Sequence, residues 1–113
     1  MEAKALRLLG LARRAGRLAC GTVAVTDAAG RAQLFLLAAD AGHSAKRGAE
    51  RLARQAGTPL IHLTYTKEAL GRAAGRGTCA VAAVTDKGFS RGIRDALQME
   101  GTLGEYCEQI PHT

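Results

Sequence analysis

Apolar residues fall along this chain in short blocks, stripes with helical spacing alternating with brief unbroken apolar runs. The first block, Glu2 to Ala15, sets Leu8, Leu11, Ala12 and Ala15 at the i, i+3, i+4, i+7 spacing of a buried helix face, with Arg7 and Arg14 together on an outward one. Gly16 predicts a left-handed cap at its end. Leu18 to Cys20 is expected as a very short strand and Thr22 to Ala29 as a short helix opened by Thr22. Gly30 breaks that helix, and Leu34 to Ala39 follows as an uninterrupted apolar run, the pattern of a strand covered on both faces.

Asp40 to His43 reads as a turn, and Ser44 as the cap of the most regular helix. There Ala45, Gly48, Ala49, Leu52, Ala53 and Ala56 form one narrow face, and Lys46, Arg47, Glu50, Arg51 and Arg54 the other. Gly57-Thr58-Pro59 stops it. Leu60 to Leu63 predicts another strand, Thr66 caps a helix through Ala74, and Cys79 to Val84 predicts a strand of small residues. Asp86 caps a last helix in which Phe89, Ile93 and Leu97 recur every fourth residue. Beyond Met99, glycines, a proline and scattered acids predict an irregular tail. The alternation as a whole predicts an α/β fold: a three-layer α/β/α sandwich around a central mixed sheet of about four strands, one domain over residues 1–98 followed by an acidic segment, 99–113.

Charge changes the picture next. Residues 1–94 hold all sixteen Lys and Arg but six of the ten acids, net +10, whereas 95–113 hold four acids and no base. Such a field draws phosphate backbones and speeds encounter with them. Twelve of the sixteen cations are Arg, the side chain suited to bidentate phosphate contacts and to stacking on bases. Genome base composition would also favour Arg over Lys in a chain this rich in Ala and Gly.

Several chemistries are excluded or left bland. Cys20, Cys79 and Cys107 share no C-x-x-C spacing, so neither a disulfide framework nor a zinc cluster is expected, and His43, His62 and His112 are equally scattered; no metal or cofactor is expected. The longest strongly apolar run, Leu34 to Ala39, falls far short of the ~20 residues of a membrane helix. A cytoplasmic protein without membrane attachment is expected. Gly75-Arg76-Gly77 begins like a dinucleotide fingerprint, but Ala80 replaces the third glycine and the segment leads from helix to strand, the wrong order. Asp40, His43 and Ser44 form the one local cluster with a catalytic look, and turn and capping roles explain two of its members, so no enzyme is expected.

What remains points to anion binding. Gly21-Thr22 opens a helix whose first backbone N–H groups lack intrahelical partners, with Arg13, Arg14 and Arg17 just upstream. The segment Gly71 to Thr78 combines glycines that permit close backbone approach with Arg72 and Arg76, which have no acid nearer than Glu68. Lys46 and Arg47 sit on a helix face that reads first as solvated, since Arg47, Glu50, Arg51 and Arg54 can pair along it.

Leu8-Leu9-Gly10-Leu11-Ala12-Arg13-Arg14-Ala15-Gly16, Gly21, Leu34 to Asp40, Pro59, Thr66-Lys67-Glu68-Ala69-Leu70-Gly71 and Ala82 to Phe89 together resemble the ribosomal protein family of L7Ae and L30e type, in its small bacterial ribosomal-protein-like branch. The match spans about residues 5 to 97, in order. It implies an α/β/α sandwich that binds RNA, in many members at kink-turns, where the start of the second helix reads tandem sheared G·A pairs through a polar Asn-Glu-x-x-Lys type constellation. Carried over by position, Gly21 matches the family glycine and Thr22 is a polar helix start. Val23 and Ala24 stand where the reading Glu or Gln would lie, Asp27 lies near the expected Lys, and Gly21 to Leu34 is about two residues shorter than the family pattern. An Asp near phosphates adds repulsion of order 1 kcal/mol at exposed dielectric.

The expectation is a non-enzymatic protein binding structured RNA, ribosomal or kink-turn-like, through Arg13, Arg14, Arg17, Gly21, Thr22, Lys46, Arg47, Arg72, Gly75, Arg76 and Thr78. Its rival is a protein-interaction scaffold of the same fold that has lost specific kink-turn reading and recruits a partner through the acidic tail.

Overall fold

The computed structural model describes residues 3–99, together with the backbone of residue 100 and residues 103–107. Helices α1 (Lys4–Arg14), α2 (Thr22–Ala28), α3 (His43–Ala56), α4 (Lys67–Ala73) and α5 (Lys87–Glu100) interleave with strands β1 (Leu18–Cys20), β2 (Leu34–Leu37), β3 (Leu60–Leu63), β4 (Val81–Val84) and β5 (Leu103–Cys107). The sheet runs β1-β4-β2-β3-β5. Only β2 and β3 are parallel, joined through α3; every other neighbouring pair is antiparallel. The mixed sheet is as expected, with β5 as a fifth strand at its edge.

Strand pleating sends alternate side chains to opposite faces, and two cores result. Leu34, Leu36, Ile61, Leu63, Ala82 and Val84 pack with α1, α4 and α5 on one face; Phe35, Leu37, Leu60, Val81 and Ala83 pack with α2 and α3 on the other. This is the α/β/α sandwich. All four residues of β2 are buried, as its unbroken apolar run requires of a strand with helices on both sides.

The structure departs from the sequence expectations in instructive places. The buried line of α1 is Ala5, Leu9 and Ala12, not Leu8, Leu11, Ala12 and Ala15; Leu11 is 49% exposed. Helix α1 packs between α4 and α5 as well as on the sheet, and Leu8 meets α5 at Gly92, so its buried line follows two neighbours rather than one plane. Helix α3 begins at His43 with extended Gly42 as N-cap and no side-chain capping bond, so Ser44 lies inside the first turn instead of capping it. Asp40 serves a different helix, its Oδ1 accepting from the Lys67 N–H at 2.7 Å. Thr66 and Asp86 do cap as expected, accepting from the N–H groups of Ala69 at 3.2 Å and Phe89 at 2.9 Å. Gly16, with φ +73°, closes α1.

Helix α2 passes at Ala28 into a single 3-10 turn, Ala29–Arg31. Where an irregular tail was expected, α5 runs on to Glu100 and β5 adds to β3 in antiparallel register, Leu60 opposite Cys107. The pairing of β5 depends on the open edge of β3, which no local pattern announces; residues 108–113 of the acidic segment lie outside the described residues. Cys20 and Cys79, 59 positions apart, join as a disulfide with Cα atoms at 6.2 Å, contrary to the expectation that no disulfide forms. Antiparallel pairing of β1 with β4 sets Cys20 opposite Ala82 and brings Cys79, just before β4, beside it. Separation in sequence hid that pairing.

Candidate nucleic-acid interface

Two connections meet at one end of the sheet, the β1–α2 junction and the α4–β4 loop. Gly21 adopts φ +94° and ψ 159°, a conformation that an L side chain rarely takes, and its N–H donates to the Val81 carbonyl at 3.0 Å. From there the chain turns directly into α2. The Val25 N–H donates to the Gly21 carbonyl at 2.9 Å, so the amides of Thr22, Val23 and Ala24 occupy the first turn, where helix geometry supplies no partner.

The facing loop is held by its own backbone. Gly75, with φ +74°, ends α4 through paired bonds, Gly75 N–H to the Arg72 carbonyl at 3.2 Å and Arg76 N–H to the Gly71 carbonyl at 2.7 Å, the Schellman pattern that a left-handed glycine permits. The Cys79 N–H then reaches back to the Lys67 carbonyl at 3.0 Å, folding Gly77 and Thr78 against α4. Gly71 is there because nothing larger fits: a Cβ on it would stand 2.6 Å from the Thr78 Cα and 2.8 Å from the Gly77 carbonyl oxygen.

This packing places two arginines. Arg76 Nη1 lies 3.8 Å from the point a Cβ on Gly21 would occupy, and Arg13 lays its guanidinium over Gly75, with Cζ and Nε each 2.8 Å from the corresponding point there. The Cys20–Cys79 disulfide pins the two connections behind them. Gly21, Thr22, Gly75, Arg76 and Arg13 therefore share one surface, with Arg13, Thr22, Arg76 and Thr78 all exposed. Thr22 also borders a groove of about 590 Å³ between α2 and α3, shared with Thr26, Gly42, Ser44, Gly48 and Arg51.

Other expected site residues lie elsewhere. Arg17 is at the far end of β1, where its carbonyl accepts from the Thr85 N–H at 2.9 Å, and the three strand residues Leu18–Cys20 hold it four steps of extended chain, about 13 Å, from Gly21. Arg14 and Arg72 line a groove between α1 and α4, next to Arg13. Lys46 and Arg47 project from the first turns of α3, exposed, and Arg47 shares the outer face of that helix with Glu50, Arg51 and Arg54. Sequence reasoning did not select Arg7 or Arg51. Arg7 had a signal, since it shares an outward face with Arg14, but only the approach of α4 turns that face into a groove wall.

Among the described residues no group of His, Cys, Asp and Glu could hold a metal ion, and no helix is long and apolar enough to cross a membrane.

Residues 3–93 match the model of the ribosomal protein L7Ae/L30e/S12e/Gadd45 family. The chain belongs to that family. A solved structure of a Bacillus halodurans protein of unknown function is 35% identical, covering 86% of this chain and 99% of that one with a TM-score of 0.78. The Giardia lamblia 15.5kD RNA binding protein shares the fold at 19% identity, with a TM-score of 0.65 over 87% of this chain and 86% of that one. No curated protein matches the sequence.

Proposed function

We propose that this protein binds structured RNA, ribosomal or kink-turn-like, at the surface joining Gly21 and Thr22 to Gly75, Arg76, Thr78 and Arg13. The observation that carries this reading is the convergence of Arg76 on Gly21 and of Arg13 on Gly75, which sets two guanidinium groups beside backbone that no Cβ shields. Guanidinium groups hold phosphates by paired hydrogen bonds, and bare backbone lets a phosphate or base edge come close. Membership of an L7Ae/L30e/S12e/Gadd45 family supports the reading.

The residues available favour phosphate contact over base reading. Val23, 77% exposed, and Ala24 offer no side-chain acceptor for a guanine edge, and Asp27 is exposed on the same short helix. We therefore expect affinity for folded RNA with weak preference for a kink-turn over a related internal loop. Fluorescence anisotropy with a kink-turn hairpin, the same hairpin with its G·A pairs replaced, and a plain duplex tests this. Arg76→Ala should weaken binding to the hairpins, and affinity should fall steeply with salt. Binding indifferent to both salt and Arg76 would overturn the assignment.

The exposed Val23 also favours a second reading, a protein-interaction scaffold that has kept the fold. A partner that stays bound after nuclease treatment, in a protein that binds none of the three RNAs, would decide for it.

A further inference from the structure

Helices α1 and α4 leave an open groove of about 340 Å³ between them, lined in part by Arg13, the side chain that also lies over Gly75. We propose that this groove is a phosphate track: the RNA strand leaving the Gly21–Arg76 surface runs along it, held by Arg7, Arg13, Arg14 and Arg72. The inference rests on the RNA reading above and extends it to residues that the family glycine and loop do not include.

Small residues, Gly10 and Ala73, lie where the two helices approach each other. Gly10 on α1 faces the Ala73 carbonyl on α4, and even an added Cβ would stand only 3.7 Å from that oxygen. The groove's walls are four guanidinium groups, all exposed, with no carboxylate among the described residues that line it. Arg13 joins the groove to the proposed RNA surface, since the same side chain that lines the groove lies over Gly75. Among the described residues, guanidinium groups follow one another from Arg76 beside Gly21 to Arg13 over Gly75 and on to Arg14 and Arg7 in the groove.

The dimensions fit a strand. Arg7 and Arg14 are two helical turns apart, about 10 Å along α1, room for a short run of consecutive backbone phosphates. Leu11, 49% exposed between them, gives an apolar surface on which a base can rest. An acidic peptide would satisfy the charge alone; continuity with the Gly75 surface favours RNA.

The test compares a minimal internal-loop hairpin with the same hairpin extended by about four unpaired nucleotides at its 5′ or 3′ end. Wild-type protein should bind one extended form more tightly than the minimal hairpin. In Arg7→Gln/Arg14→Gln that gain should disappear while affinity for the minimal hairpin holds. With about 0.7 of log–log salt slope per phosphate on a single strand, losing two contacts should lower the slope for the extended RNA by about 1.4, an affinity difference that changes about 7-fold between 50 and 200 mM salt. Lys87→Gln/Arg91→Gln removes the same charge from an exposed site at the other end of the sheet and should leave the gain intact.

Equal loss in both double variants would reduce the effect to net charge and overturn the track. So would no loss in either, or displacement of a groove-bound polyglutamate chain without any effect on RNA. If Arg76→Ala abolishes binding of the minimal hairpin while Arg7→Gln/Arg14→Gln changes nothing, the track fails and the RNA function stands. If wild type binds neither hairpin, both fall together.

Discussion

Replacing Gly71 by alanine tests whether close packing of the α4–β4 loop on α4 holds the proposed RNA surface in place. In an unobstructed helix interior the change is favourable by about 1 kcal/mol, because glycine loses more backbone freedom on folding and exposes more backbone. At Gly71 the new Cβ meets Thr78 Cα at 2.6 Å, Gly77 O at 2.8 Å and Thr78 C at 2.8 Å, all backbone atoms that no rotamer change can move aside. The loop has to shift outward, which costs about 1–3 kcal/mol as overpacking. The net expectation is a destabilisation of up to about 2 kcal/mol, with the Arg76 N–H to Gly71 carbonyl bond stretched and Arg76 displaced from Gly21. Gly48→Ala is the matched control, a glycine within α3 with nothing within 4 Å of its added Cβ, and it should stabilise by about 1 kcal/mol. Urea denaturation followed by far-ultraviolet circular dichroism reads both, and thermal melts should move in opposite directions by about 4 °C per kcal/mol. The clash account fails if Gly71→Ala is as stable as Gly48→Ala. It also fails as an account of the site if Gly71→Ala destabilises yet leaves RNA affinity untouched.

Phe35→Ala should cost about 3–5 kcal/mol, because Phe35 is fully buried between the sheet and α3 and its loss opens a cavity; a urea midpoint close to wild type would contradict that packing. The Cys20–Cys79 disulfide closes a loop of 59 positions and in the chain-entropy picture should contribute about 4 kcal/mol, so added reductant should lower the melting temperature of wild type and leave Cys79→Ser unmoved; a reductant-independent melt with free thiols by mass spectrometry would count against the bond. Thr66→Ala and Asp40→Ala each remove an acceptor from the start of α4 and should each cost about 1 kcal/mol, as read by thermal melts, with no loss in either variant refuting the capping role.

Much of this protein could be read from periodicity. The strands at Leu18–Cys20 and Leu60–Leu63 and the caps at Thr66 and Asp86 stand where the pattern puts them, because each is set by residues within one turn or one strand. The groups that would make a site were legible as types, glycine beside arginine, but not as neighbours. Gly21 and Arg76 lie 55 positions apart, and Arg17, four residues from Gly21, is carried to the opposite end of the sheet.

Sequence by itself determined the element types, the two-sided burial of β2, the cationic body and, through motifs spread over most of the chain, the family. Tertiary structure decided which face of α1 is buried, that β5 covers the edge of β3, that Cys20 meets Cys79, and that Arg13 and Arg76 converge on Gly75 and Gly21. The physical reason is range. Hydrophobic period, capping and turn chemistry act over a few residues and leave a local signature, whereas strand order, helix contact and the pairing of distant side chains arise only when the sheet and its two helical layers close on each other.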